Sequence, residues 1–236
     1  RRIAASFTSR INEAAGREMV SVPSSYLTII QQSVEYSRVT GGSFDVTVGP
    51  LTSLWQFEDG QGRLPDDEEI GLNMFLVGYR NLQVDEIHQA IGLKEAGALI
   101  DLGGIAKGFA VDQAVSVLKE EGIGGGMVNA GGDIRLFGLK PSRERWCIGV
   151  QHPRQPDAIL ASLKLTDTSI VTSGDYERYF FRDGVRYHHI LDPKSGRPAR
   201  GCQSVTIVSE TALSGDALST GVFILGPERG LSLIHI

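Results

Sequence analysis

Apolar and polar positions change period several times along this chain, and each change predicts an element. A helix starts at Pro23-Ser24, carries Leu27, Ile30 and Val34 on one face, and ends at Thr40-Gly41-Gly42. Before it, residues 1–7 read as the tail of a helix and residues 8–22 as a polar connector. Residues 60–63 form a surface loop, and 65–77 an exposed helix whose opening acids, Asp66 to Glu69, suit a helix N-terminus. Short strand-like runs follow at 82–84, 90–93 and 98–100.

The chain is organised around residues 100–133. A strand end gives way to Gly103-Gly104, then to a helix with Lys107 in its first turn, and a second glycine-rich turn runs from Gly122 to Asp133. Ala110, Ala114, Val117 and Leu118 form the helix stripe, widened by Val111 and Val115. Beyond it, residues 133–137, 146–150, 159–165 and 169–172 alternate as strands do. Residues 179–182 and 185–189 flank Asp183-Gly184, a strong hairpin signal. A strand at 203–208 and a helix at 212–225, closed by Gly226-Pro227, complete the pattern. Strands grouped after helices, not alternating with them, predict an α+β fold of mixed, largely antiparallel sheets packed with helices.

At 236 residues, 41% hydrophobic and 22% charged, the chain can bury a full core as one large domain or two small ones. Its 23 basic and 28 acidic side chains show no basic stripe, which argues against nucleic acid as a partner. Cys147 and Cys202 leave both free thiols and a pair open. No apolar run reaches the length of a membrane span, and no signal peptide is present.

Four constellations carry candidate chemistry. Gly103, Gly104 and Lys107 at a helix start suit a phosphate, or equally a tight connection with a solvated lysine. The spacing matches neither the P-loop nor the dinucleotide fingerprint. Ser43-Phe44-Asp45, between paired glycines and a Gly49-Pro50 break, forms a shaped loop that either holds a flat polar ring or serves as an apolar anchor with a turn aspartate. His188 and His189 point to opposite faces of a strand and do not chelate one metal together; His189, at the strand end, is either a general base or a structural hydrogen-bonder. Asp216 and Thr220 share a helix face, about 6 Å apart along the axis. Those hard oxygens suit magnesium together with a backbone carbonyl of the glycine turn, or the aspartate answers the helix dipole.

Taken in order, GGSFDVTVGPL, IDLGGIAKGFAVD, VNAGGDIR, TSGDYERYF, HHILDPKSGRPA and DALSTG closely resemble the FAD:protein FMN transferase family, flavin transferases of the ApbE type, over residues 9–230. The resemblance implies an ApbE-like alpha-beta roll, FAD as substrate and magnesium as cofactor. It implies transfer of the FMN half of FAD to a threonine of an acceptor protein, a redox-pump subunit or related flavoprotein, with release of AMP. By position, Ser43, Phe44 and Asp45 would line the flavin or adenosine pocket, Asp101 and Lys107 would contact FAD, and Ile190 would lie against it. Asp216, Thr220 and the carbonyl of Gly104 would hold the metal, and His189 would be the base.

The same resemblance implies work at the periplasmic face of a bacterial inner membrane, the parent carrying a lipoprotein segment. Here the family's first strand is absent, its first helix is short, and residues 231–236 read as a non-native tail. The expectation is a single transferase domain over residues 1–230, truncated at its N-terminus. Two further functions fit the same motifs: a magnesium-dependent FAD pyrophosphatase, and an FAD-binding protein without chemistry.

Overall fold

The computed structural model of the protein describes residues 6–57 and 62–234. In chain order its elements are α1 (Phe7–Ala14), β1 (Val20–Ser21), α2 (Ser24–Val39), α3 (Gly49–Trp55), α4 (Asp67–Met74), β2 (Leu82–Asp85) and β3 (Ala90–Leu93). Next come α5 (Ala106–Glu120), β4 (Gly126–Ala130), β5 (Asp133–Phe137), β6 (Trp146–His152), β7 (Gln155–Leu165) and β8 (Ser169–Gly174). The last are β9 (Tyr179–Arg182), β10 (Val185–His188), β11 (Leu191–Asp192), β12 (Arg197–Pro198), β13 (Ser204–Ser209) and α6 (Ala212–Ile234). Among the described residues every strand ladder is antiparallel, and the fold is α+β as the pattern predicts. The chain divides into two units, Arg1–Gly103 with Arg178–Arg200, and Gly104–Glu177 with Gly201–Ile236.

The first unit holds α1 to α4, a small sheet in the order β1-β3-β2, and the β9–β10 hairpin. Residues 8–22 are not a connector. The Ser6 hydroxyl accepts the Ser9 N–H at 3.2 Å and starts α1, which buries Ile11 and Ala14. The predicted helix tail at 1–7 falls mostly outside the described residues, as does part of the 60–63 loop. Gly49-Pro50, expected as a break, instead opens α3, because a proline in the first turn forfeits no intrahelical bond. The acidic helix is shorter than its pattern: Asp66 caps α4 in a reciprocal box with Glu69. Residues 98–100 form no strand, only a single bridge between Leu99 and Val48, while the Asp101 N–H reaches the Val46 carbonyl at 2.7 Å.

The core of this unit supports the hairpin. Leu51, Trp55, Ile70, Phe180 and Leu191 pack together, and the Trp55 indole N–H donates to the Gly196 carbonyl at 2.9 Å. Truncating a fully buried tryptophan of this kind costs about 3 to 5 kcal/mol. Asp183 (φ 50°) and Gly184 (φ 75°) make the two-residue turn, setting Val185 opposite Arg182 and Tyr187 opposite Phe180. Those two rings stack at 5.3 Å, fixing which face of the ribbon points inward.

The second unit is a four-stranded sheet, β13-β8-β5-β4, with α5 and α6 packed against it, plus the separate β6–β7 ribbon. The glycine-rich stretch after α5 is not only a turn. Residues 126–130 pair with β5 as β4, their side chains covered in part by α5. The buried stripe of α5 is Gly108, Val111 and Val115, whereas Ala110 and Val117 face solvent. The reason is α6, which meets α5 at Gly108 and rotates the contact face toward that glycine. Gly226 leaves helical geometry, as expected, but α6 resumes after Pro227.

Candidate active site

The N-terminal turn of α5 gathers one lysine and two buried carboxylates. The doubled-glycine turn delivers the chain into α5 with no side-chain cap at Ile105, so its first N–H groups lack intrahelical partners. One is satisfied from 108 residues away: the Gly108 N–H donates to Asp216 Oδ2 at 3.1 Å. The anion at this helix start is therefore the chain's own carboxylate. Lys107 Nζ donates to Asp216 Oδ1 at 3.1 Å and to Asp133 Oδ2 at 3.0 Å. Both aspartate side chains are buried, at 3% and 1% exposure, while that of Lys107 is 45% exposed.

Two buried carboxylates thus share one ammonium. Burial and the charge of Asp216 push the Asp133 carboxyl up to about 7, against the lowering pull of Lys107. Burial also opposes the Lys107 charge, but the two carboxylates more than offset it and hold that group above the usual lysine value. With two carboxylates to one ammonium the cluster is short of positive charge, a condition a divalent cation would relieve. One turn after Asp216 on α6 lies Thr220, whose hydroxyl is 3.4 Å from that of Ser173 on β8. The donor set of carboxylate and hydroxyl oxygens is hard, as magnesium requires. Gly104 lies in the turn before α5. Among the described residues no group of three or more His, Cys, Asp or Glu is arranged to hold a metal.

The helices touch through backbone at this point. A Cβ added to Gly108 would overlap the Ala212 carbonyl and crowd Leu213. Gly108→Ala is expected to cost about 2 to 3 kcal/mol, as overpacking against rigid backbone does. Urea denaturation of the purified variant checks this, and an unchanged midpoint would refute the close approach.

The sequence match decides the family. The family model described as the ApbE family matches residues 1–236.

The chain belongs to the ApbE family.

A protein from Vibrio cholerae serotype O1 named FAD:protein FMN transferase is 36% identical over 229 residues, covering 95% of this chain and 68% of its own length. One from Klebsiella pneumoniae with the same name is 36% identical over 227 residues, covering 95% of this chain and 70% of its own. The chain therefore spans roughly two thirds of the length of the curated relatives it matches. Among solved structures, the ApbE protein from Thermotoga maritima superposes with a TM-score of 0.91 at 40% identity, over 98% of this chain and 74% of that one. The flavin transferase ApbE from Vibrio cholerae superposes with a TM-score of 0.88 at 34% identity, with the same coverages.

Within this ApbE-family chain, the remaining candidates belong to the first unit. Ser43, Phe44 and Asp45 are all buried. Asp45 Oδ1 accepts the Thr47 N–H at 2.9 Å and the Thr47 hydroxyl at 2.6 Å, and Oδ2 accepts the Tyr79 N–H at 2.7 Å. Its carboxyl lies above the usual range because burial outweighs those three bonds. Asp101 accepts the Gly103 N–H at 2.9 Å and the Thr52 hydroxyl at 3.0 Å. Ile190 is buried, and its carbonyl accepts the Ala199 N–H at 2.9 Å.

The two histidines separate as alternation requires. His188, the last residue of β10, is buried with Nε2 donating to the Ala199 carbonyl at 2.9 Å. His189 lies one residue past the strand, correcting the predicted strand end at 189, and its N–H reaches the Arg178 carbonyl at 3.1 Å. Its Nδ1 is 3.3 Å from the same carbonyl. A carbonyl only accepts, so Nδ1 carries the hydrogen and the neutral ring keeps its lone pair on Nε2.

The structure thus brings Lys107 and Asp216 together and adds two residues the motifs did not single out. Asp133 closes the VNAGGD turn behind Gly131 and Gly132, both at positive φ, an acid placed by two glycines where a polar turn alone needs none. Asp112 ends IAKGFAVD, an acid beside the buried Val111. An acid on that apolar stripe was the available signal.

Proposed function

We propose that this chain is an FAD:protein FMN transferase, moving the FMN half of FAD to a threonine hydroxyl of an acceptor protein with release of AMP and dependence on magnesium. The observation that carries the reading is the cation-poor pair Asp133 and Asp216 at the N-terminus of α5, in a chain whose relatives in the ApbE family bear that name. Ser43, Phe44, Asp45, Asp101, Lys107 and Ile190 hold FAD in this reading. Asp216, Thr220 and the carbonyl of Gly104 hold the magnesium, which when bound neutralises charge on the pyrophosphate and on departing AMP.

His189 Nε2 takes the threonine proton as the threonine oxygen bonds to the FMN phosphorus. The bond from that phosphorus to the bridging oxygen breaks, and the electron pair leaves with AMP. Nδ1–H, donated to the Arg178 carbonyl, holds the ring in the tautomer this requires. Lys107 sets a positive charge beside the two acids and orients Asp216. The acceptor is a redox-pump subunit or related flavoprotein, and the place of work is the periplasmic face of the inner membrane; among the described residues no helix is long and apolar enough to cross a membrane.

One incubation with FAD, magnesium and a threonine-bearing acceptor fragment tests the reading. Flavin fluorescence that survives on the denatured acceptor, with one AMP released per flavin bound, is the expected result. Free FMN with AMP would make the chain a pyrophosphatase, and intact FAD a binding protein; either overturns the proposal.

A further inference from the structure

Asp112 lies one helical turn beyond Gly108 on α5 and joins three elements. Its Oδ1 accepts the Ala212 N–H at 2.9 Å and its Oδ2 the Leu213 N–H at 2.9 Å, two groups at the start of α6 that have no partner in their own helix. Asp216 of α6 returns the arrangement by accepting the Gly108 N–H of α5. Each helix therefore lends a carboxylate to the other's N-terminus, and the two clasps flank the backbone contact at Gly108. The third element is β5. Arg135 Nε stands 3.8 Å from Asp112 Oδ1, and Arg135 Nη1 is buried with no hydrogen-bond partner among the described residues. A guanidinium so placed depends on the nearby Asp112 charge for compensation. Arg135 is two residues along β5 from Asp133.

We propose that Asp112 is a positioning residue for flavin transfer: by tying α5, the start of α6 and β5 together it sets Lys107, Asp216 and Asp133 in register. The catalytic meaning rests on the function proposed above, but the mechanical claim does not. Capping alone would make Asp112 a general stabiliser of the fold. Positioning predicts a local effect at Asp216 that exceeds any general loosening.

The Gly108 amide reports this directly, since as the third residue of α5 it has no intrahelical acceptor and bonds to Asp216 instead. In Asp112→Asn one side-chain oxygen remains for two N–H donors, and the charge facing Arg135 is gone. By nitrogen-resolved hydrogen exchange, without metal or FAD, the Gly108 amide is expected to exchange about tenfold faster while β8 amides keep their protection. With Mn²⁺ as the probe, its dissociation constant should rise about tenfold, and half-maximal transfer should need correspondingly more metal, with a smaller fall in kcat at saturation. An unchanged Gly108 rate in the folded variant overturns the proposal, and so does equal acceleration at Gly108 and β8. If Asp112→Asn does not fold, Arg135→Gln carries the same comparison from the other end of the tie, with the same two overturning results. Mn²⁺ binding by the unmutated chain and by Asp216→Ala is measured alongside. Absence of binding by the former defeats the metal reading and leaves the Gly108 result to decide the role of Asp112.

Discussion

His189→Ala is expected to slow FMN transfer by about 10² to 10⁴-fold, the usual contribution of a positioned base, while FAD affinity stays within about threefold of the unmutated chain. The local geometry explains why the loss should be clean. The backbone N–H of residue 189 reaches the Arg178 carbonyl at 3.1 Å whatever side chain it carries, so the turn after β10 is retained. Neighbouring His188, bonded to the Ala199 carbonyl, continues to hold the hairpin against the 190–199 turn. Flavin fluorescence titration gives the affinity, and in-gel fluorescence of the denatured acceptor gives the rate. Transfer at the unmutated rate would remove His189 from the chemistry. A matched loss of FAD affinity would make it a binding residue instead.

Asp216→Ala is expected to abolish magnesium-dependent turnover with only a modest loss of stability. The activity effect follows from the loss of the buried carboxylate: stabilisation by a bound metal is worth several kcal/mol, hence about 10²-fold or more in rate. The stability effect is smaller because the site compensates. Removing Asp216 leaves the Gly108 N–H without its acceptor, a cost of about 1 to 3 kcal/mol. It also removes the charge that, after burial, does most to raise the Asp133 carboxyl. Burial still raises that carboxyl, but the lowering pull of Lys107, paired with it at 3.0 Å, is then opposed by burial alone. Denaturant unfolding should show a net loss of about 1 to 2 kcal/mol. Turnover that still tracks magnesium concentration would move the metal elsewhere, and a variant that fails to fold would refute the compensation by Asp133.

Much of this architecture can be read from sequence, for identifiable reasons. The β9–β10 hairpin is legible because Asp183-Gly184 is a turn whose backbone only a few residues adopt. The ends of α2 are legible because Pro23 and the Gly41-Gly42 pair punctuate it. Strand β4 is not, since Gly126 to Ala130 is glycine-rich and half covered, and its pairing with β5 supplies what its composition lacks. The buried face of α5 was misread by one step because close approach to α6 selects a glycine, and periodicity scores glycine as nothing. Lys107 was found from its place in the first helical turn after the paired glycines, and Asp216 from the helix face it shares with Thr220. Asp133 and Asp112 escaped because their work is done across long sequence separations, with Lys107 and with the start of α6, which no local window contains.

Those separations bear on how the protein is made. Gly108 meets Asp216 across 108 residues, and Asp112 meets Ala212 across 100. Closing loops of such length is entropically costly and comes late in the folding of a chain. A ribosome-bound intermediate that has synthesised everything through β13 still lacks the carboxylate on which the α5 turn depends. In the reading proposed above, the charged cluster at the start of α5 is therefore complete only once α6 has been made.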